Sequence, residues 1–285
     1  MKVSQICKNK RSLSFEIYPP KKDEELKNID ATLDVLCELK PDFISVTFGA
    51  GGSSNCNRTI ELAKKIKNDY GVEPVVHLTC LQYDRDEIDE FTRILEYEGI
   101  ENILALRGDI NPNIPDKKDF GHSSDLISYM KKKSDFCFLG ACYPECHPES
   151  SDVIFDMKYL KKKVEAGAEI LLSQLFFDNR LFYRFFDKCR IADIDVPVIP
   201  GVMPVINAAQ IKRMVSICHA SFPERFQRII SRYEDNKAAL FDAGMSYCLS
   251  QIIDLLTNDI SGIHLYTMNN PLVARRICEG IKNIV

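Results

Sequence analysis

Short apolar, strand-like runs alternate with amphipathic stretches along nearly the whole chain. The strand-like runs cover residues 13–18, 43–48, 75–79, 103–106, 136–142, 169–175, 196–199 and 262–266. Between them lie stretches with helical period at 24–39, 55–70, 85–98, 124–133, 153–166, 180–191 and 207–218. In the first of these, Leu26, Ile29, Leu33 and Leu36 recur at steps of three and four, the stripe of a helix that covers a sheet. Two consecutive helices, 223–232 and 237–256, precede the last strand, and a helix over 271–284 follows it with Pro271 in its first turn. Ser123 or Ser124 suits the N-cap of the 124–133 helix, and Gly167 suits the left-handed end of the 153–166 helix. Eight strands alternating with helices and no linker predict an α/β fold, a (β/α)8 TIM barrel. It would be a single domain over residues 1–285, with extra helices before strand eight. A doubly wound sheet would need a Gly-rich dinucleotide turn. The nearest candidate, Gly49-Ala-Gly51-Gly52-Ser53-Ser54, has Ser where the last Gly of that turn belongs, and reads as a loop after strand two.

Composition narrows the class without changing it. With 45% hydrophobic and 27% charged residues, the chain has ordinary globular content. Lys and Arg (37) nearly balance Asp and Glu (41), and the Lys-rich pieces sit in helix-like segments. They read as solvated faces rather than a nucleic-acid surface. No run approaches the ~18 apolar residues of a membrane span, and the N-terminus has no signal-peptide core. The cysteines, 11 in number, are scattered and mostly lie in apolar runs, as at Cys80, Cys137 and Cys248. That usage fits a reducing cytoplasm. Cys142-Tyr-Pro-Glu-Cys146-His147 has no second half to make a zinc site, so no metal is expected there.

In a barrel of this kind, chemistry sits where the strands end at the C-terminal face. Polar residues fall there in seven of the eight strands: Glu16, Thr47, His77 with Thr79, Arg107 with Asp109, Tyr143 with His147, Gln174, and Tyr266. Two of these places stand out. The run Asn-Ile-Leu-Ala-Leu from Asn102 ends abruptly in Arg107-Gly108-Asp109, either a local salt bridge or a recognition site. Glu16 lies inside an apolar strand, where desolvation raises a carboxyl's pKa and makes a general acid available near neutral pH. The alternative is a buried ion pair with Arg107 or a Lys. His77, His147 and His264 raise a metal-hydrolase reading. Such barrels place His-x-His on strand one, where this chain has Ser14-Phe15-Glu16, and the metal reading falls.

Six motifs then occur in order: Ser14-Phe-Glu16-Ile-Tyr-Pro-Pro20, Ser45-Val-Thr47-Phe-Gly, His77-Leu-Thr79-Cys, Ala105-Leu-Arg107-Gly-Asp109, Tyr143-Pro-Glu-Cys-His147-Pro, and Ser173-Gln174-Leu-Phe-Phe-Asp178. With Tyr266-Thr267 they make the chain resemble, over essentially its whole length, the methylenetetrahydrofolate reductases of bacterial type, which are catalytic domains alone. The resemblance implies a cytoplasmic flavoprotein of one-carbon metabolism, serving methionine biosynthesis, that uses FAD to reduce 5,10-methylenetetrahydrofolate to 5-methyltetrahydrofolate. It makes Glu16 the general acid and Asp109 the carboxylate beside the flavin and folate, and it gives Gln174 the pterin. It assigns FAD to Thr47, Phe48, Ala50, His77, Arg107, Gly108, Asp109, His122, Ser123, Tyr143, His147, Asp156 and Lys163. The folate side takes Glu16, Asp109, Gln174, Phe182, Met214 and Tyr266. Three positions depart from the pattern: Met214 stands for an aromatic ring, Phe182 for a Tyr, and Asn270 for an Arg that meets the substrate tail. They leave the donor open between NADH, NADPH and a partner electron-donor protein. In that last case the chain would be the flavin-bearing subunit of a multiprotein complex. Family members are commonly oligomeric, which leaves a homo-oligomer open. Neither nucleic acid nor membrane is implied as a partner.

Overall fold

The computed structural model describes residues 1–20, 26–48, 53–110, 116–208, 211, 214–215, 218 and 220–284, the side chains of 26–27 and 53–56 excepted. Nine strands form one all-parallel sheet: β1 (Ser12–Ile17), β2 (Phe43–Val46), β3 (Glu73–Thr79), β4 (Asn102–Leu106), β5 (Cys137–Cys142), β6 (Ala168–Ser173), β7 (Val198–Ile199), β8 (Gly201–Val202) and β9 (Gly262–Tyr266). Their order is β7-β6-β5-β4-β3-β2-β1-β9-β8. The two-residue strands β7 and β8 flank Pro200 and together fill the seventh position of the barrel. β7 pairs with β6 and β8 with β9. Pro200 has no N–H to give a ladder, but its carbonyl accepts from the amide of His264 at 3.0 Å. The ring therefore closes through a strand that the apolar run 196–199 announced only in its first half.

Around the sheet lie α2 (Leu26–Glu38), α3 (Ser53–Tyr70), α4 (Arg85–Tyr97), α5 (Ser123–Met130), α6 (Val153–Glu165), α7 (Asn179–Ile191), α8 (Glu224–Tyr233), α9 (Lys237–Leu256) and α10 (Pro271–Ile281), after an N-terminal helix α1 (Val3–Asn9). The expected helix over 207–218 falls partly outside the described residues, as do Gly49 to Gly52 and Asn111-Pro112-Asn113. The fold is the (β/α)8 barrel expected, extra helices before the last strand included. One end-cap differs. Helix α5 starts at Ser123 with His122 as N-cap, and the Asp125 carboxylate reaches back to accept the amides of His122 and Gly121. An acid in the first turn does the work assigned to a serine. Among the described cysteines, all thiols are free.

Alternation along each strand divides the core in two. The outward residues Phe15, Ile17, Ile44, Val46, Val76, Leu78, Ile103 and Phe138 pack under helix stripes such as Leu33, Leu36, Ile60 and Ile66. The inward set Phe43, Val75, Leu104, Leu139, Ile170, Leu172 and Ile199 fills the barrel. Val3 of α1, fully buried, joins that inner cluster from below. Asn102, also fully buried, holds α1 in place. Its Oδ1 accepts the amide of Val3 at 2.8 Å, and its Nδ2 donates to the carbonyls of Met1 and Pro74. Helix α1 was not legible in the N-terminal sequence, because a seven-residue plug buries too few side chains to show a periodic stripe.

The extra pair α8 and α9 braces the loop that follows β6. Phe226 of α8 stacks on Tyr247 of α9 at 4.2 Å. Tyr247 and Gln251 donate side-chain hydrogen bonds to the carbonyls of Phe177 and Phe176. These bonds satisfy backbone groups that a buried loop would otherwise leave unpaired, and they fix the chain just beyond Gln174.

Candidate active site

Continued toward the C-terminal ends, the inward alternation turns from apolar to polar. Glu16, Thr47, His77, Thr79, Tyr143, Gln174 and Tyr266 line a cavity of about 820 Å³ above the barrel core, within the size range of cofactor and substrate clefts. Its floor is polar but uncharged. About a fifth of the Glu16 side chain (21%) reaches the cavity. The barrel wall surrounds the rest, and desolvation pushes its carboxyl up to about 8. Among the described residues the charged neighbour of Glu16 is neither Arg107, which pairs elsewhere, nor a lysine. His77 stands there instead, its Nε2 3.6 Å from Glu16 Oε2. Burial lowers the His77 pKa to about 3, and among the described residues its Nε2 has no hydrogen-bond partner. One layer below, His264 is saturated by contrast, with Nδ1 2.8 Å from Ser14 Oγ and Nε2 3.4 Å from Ser45 Oγ. It is likewise held neutral by burial, with a pKa of about 3. Near pH 7 the carboxyl therefore keeps its proton and both imidazoles are neutral.

The end of β4 forms one wall. Gly108 takes φ +88°, and a Cβ there would stand 3.1 Å from the Cβ of Thr79, so glycine is needed to turn the chain between Arg107 and Asp109. The turn separates the two charges rather than pairing them. Arg107 grips Glu149, from the loop after β5, with NH1 2.5 Å from Oε2 and NH2 2.6 Å from Oε1. The salt-bridge reading of Arg107 with Asp109 is thus corrected: the partner comes from the neighbouring strand's loop. Asp109 is exposed at the rim, and its carbonyl accepts from Gln82 Nε2 at 2.9 Å.

The adjoining part of the wall comes from β5 and α6. Tyr143 and His147 meet edge to face at 4.6 Å. Burial raises the Tyr143 hydroxyl to about 12 and lowers His147, whose Nδ1 accepts the Glu149 amide at 3.1 Å. Lys163 runs from α6 across Gly140, where a Cβ would stand 2.5 Å from its Cδ. Its ammonium donates to the carbonyl of Ala141, and burial lowers its pKa. Asp156, whose pKa burial raises, lines the same wall with His122, Ser123 and Tyr159, and the ring of His122 lies 4.9 Å from that of Tyr159.

At the β6–β9 side, Gln174 Oε1 accepts the amide of Leu175 at 2.8 Å, leaving its NH2 for the cavity. Tyr266 donates to the carbonyl of Ser173 at 2.6 Å, and Met214 lines this side too. The cavity thus gathers Glu16, Thr47, Phe48, His77, Arg107, Gly108, Asp109, His122, Ser123, Tyr143, His147, Asp156, Lys163, Gln174, Met214 and Tyr266. Phe182 is not brought in. It is fully buried on α7, stacked on Phe176 at 5.1 Å, because the helix face it occupies is the one that covers the sheet. Asn270 caps α10 by accepting the amides of Leu272 and Val273, and Ala50 lies outside the described residues. The sequence reading missed Glu149, Gln82 and Tyr159. The signal for Glu149 was the adjacency of β4 and β5, whose loops must meet at the rim. Among the described residues, no cluster of His, Cys, Asp and Glu is placed to hold a metal ion.

A parallel barrel with a protonated acid on its floor and cationic groups on its walls is the framework of an enzyme. Comparison with known proteins identifies which. The family profile described as methylenetetrahydrofolate reductase matches residues 2–282, and the chain belongs to that family of oxidoreductases. It is 35% identical to the 5,10-methylenetetrahydrofolate reductase of Escherichia coli K12 over 95% of this chain and 90% of that one. To the Buchnera aphidicola enzyme of the same name it is 34% identical, over 99% and 94%. It is also 34% identical to methylenetetrahydrofolate reductase (NADH) 1 of Arabidopsis thaliana, over 90% of this chain and 46% of that one. Among solved structures, an uncharacterized Clostridium thermocellum protein that binds two copies of 5-methyl-5,6,7,8-tetrahydrofolic acid superposes with a TM-score of 0.68. It is 14% identical and covers 99% of both chains. Mycobacterium tuberculosis tryptophan synthase follows at 0.56 and 14%, over 98% of this chain and 97% of that one. Both show the fold. Among the described residues, no helix is long and apolar enough to cross a membrane.

Proposed function

We propose that this chain reduces 5,10-methylenetetrahydrofolate to 5-methyltetrahydrofolate with FAD as its cofactor and Glu16 as general acid. The observation that carries the reading is the state of Glu16, a buried carboxyl that keeps its proton to about pH 8 on the floor of the cavity. The residues around it fit a flavin dinucleotide. Arg107 and Lys163 offer cationic groups along one wall, Gly108 brings backbone close, and the buried Nε2 of His77 lacks a partner among the described residues. When bound and reduced by an electron donor, FAD would supply the hydride that the folate's methylene carbon accepts.

Glu16 would give its proton to the folate nitrogen as the methylene bridge opens to the iminium. A neutral acid suits that step, because its pKa lies close to the working pH. Gln174, its carbonyl oxygen already engaged by Leu175, would donate from its NH2 to the pterin. Asp109 would favour the cationic folate species by proximity. The layer beneath the floor is the fully buried Ser14, Ser45 and His264, with the apolar barrel core below it, so Glu16 would exchange its proton through the cavity.

The test separates two half-reactions. The purified protein should be yellow, bleach on mixing with an electron donor, and reoxidise with methylenetetrahydrofolate. Glu16→Gln should still bleach with the donor but reoxidise with folate about 10²–10⁴-fold more slowly. A colourless protein that takes up no FAD, or normal folate turnover in Glu16→Gln, would sink the reading. Stopped-flow mixing with NADH and then with NADPH assigns the donor, and bleaching by neither assigns it to a partner protein.

A further inference from the structure

We infer that Glu149 is an internal counter-ion, holding the guanidinium fork of Arg107 until the diphosphate of a dinucleotide displaces it. The inference rests on reading this cavity as an FAD site. It adds a residue for which neither the motifs nor the strand ends gave a role.

The geometry of Arg107 carries the argument. A guanidinium grips a carboxylate or phosphate bidentately along its end, through NH1 and NH2, or along its side, through Nε and one NH group. The end is taken by Glu149, one oxygen on each nitrogen at 2.5 and 2.6 Å. The side is compromised because Nε already donates to the carbonyl of Gly108 at 3.2 Å. Arg107 therefore has no bidentate edge open to a ligand while Glu149 stays in place.

Glu149 is built to leave. Its backbone is anchored by the bond from its amide to His147 Nδ1, while 53% of its side chain is exposed. Release thus needs rotation of one side chain and no movement of the loop. At that exposure solvent and salt screen the pair, so the carboxylate is held less firmly than a buried partner would be. A diphosphate, with two charges to offer the same fork, outcompetes a single carboxylate. A monoanion merely replaces like with like. Lys163, at the carbonyl of Ala141, and a neutral His147 face the same corner, so removing the Glu149 charge leaves it one unit more positive. In the absence of ligand the pair keeps the fork ordered and neutralised.

The test compares Glu149→Gln and Glu149→Ala with the wild type, measuring FAD release from the holoprotein by recovery of flavin fluorescence on dilution. ADP and riboflavin serve as competing probes. Both variants should lower the Kd for FAD about three- to tenfold, the range of one exposed ion pair plus the gained charge. ADP should gain similarly, riboflavin should not change, and the gain should shrink at about 0.5 M salt. An FAD Kd that is unchanged or raised would overturn the inference and make Glu149 idle or an orienting group for Arg107. A gain shared by riboflavin would overturn it as well, because riboflavin carries no phosphate. Wild type that binds no FAD at all would sink the cofactor reading and this inference with it. Normal FAD binding without the gain sinks the inference alone.

Discussion

The two ends of the barrel solve opposite problems with the same strands. At the N-terminal mouth Asn102 is completely buried, and its side-chain oxygen and nitrogen both have partners, which tie Met1, Val3 and Pro74 together. At the C-terminal mouth His77 is nearly as deeply buried, yet its Nε2 has no partner among the described residues, and the adjacent Glu16 keeps a proton it would lose in water. An unsatisfied buried polar group costs about 1–3 kcal/mol. The closed end avoids that cost and the open end accepts it. The comparison teaches which polar residues stabilise the fold and which are held ready for something else.

Substitutions at each end sharpen the contrast. The largest effect on stability belongs to the closed end. Asn102→Ala strands the Val3 amide and frees α1, and should lower unfolding free energy by about 2–4 kcal/mol in denaturant titration, leaving folate reduction per folded molecule unchanged. A loss of folate reduction there would erase the division of labour. At the open end Glu16→Gln should raise stability, and the gain should grow with pH. The folded carboxyl titrates near 8 and the unfolded one near 4.5. Between those values the folded state binds more protons, so wild-type stability falls as pH rises, while the amide does not titrate. Thermal melts should show little difference at pH 5 and about 2 kcal/mol at pH 8.5. That lies below the full shift because part of the side chain reaches solvent. A difference that narrows with pH would mean Glu16 is not the desolvated group. Smallest of all, Asp109→Asn, at the exposed rim, should change stability by less than ~0.5 kcal/mol yet shift the flavin potential and slow the folate half-reaction. Melting and potentiometry on one preparation check both.

The sequence carried the barrel because period-2 runs and helical stripes each point to one face, and eight of them leave few alternatives. It carried the strand-end residues for the same reason: alternation places Glu16, His77 and Tyr266 on the inside whatever the loops do. What it did not carry depends on contacts between segments. Arg107 and Glu149 are far apart in sequence and meet only because β4 and β5 are neighbours. Phe182 was assigned to the substrate through a motif position, and the packed face of α7 takes it into the core. Helix α1 is too short for a stripe, and Pro200 hides half of strand seven from a reading that stops a strand at proline.

That split strand has a consequence for motion. Elsewhere in the ring neighbouring strands pair over four or more positions, whereas β7 and β8 each hold two. Local opening begins where a ladder is shortest, so the seam at Pro200 is where amide protons should exchange first. Gln174 stands on one bank of that seam and Tyr266 on the other, stitched by the bond from Tyr266 to Ser173 and by Gly201 donating to Ser173 Oγ. Glu16 pairs in register with Tyr266 of β9, but it stands on the well-paired arc from β1 to β4 that also carries His77 and Arg107. The acid and the cationic wall thus rest on the rigid side of the ring. The Gln174–Tyr266 side sits on the part that can breathe, so a bulky heterocycle could enter and leave there while the arc that carries His77 and Arg107 stays paired.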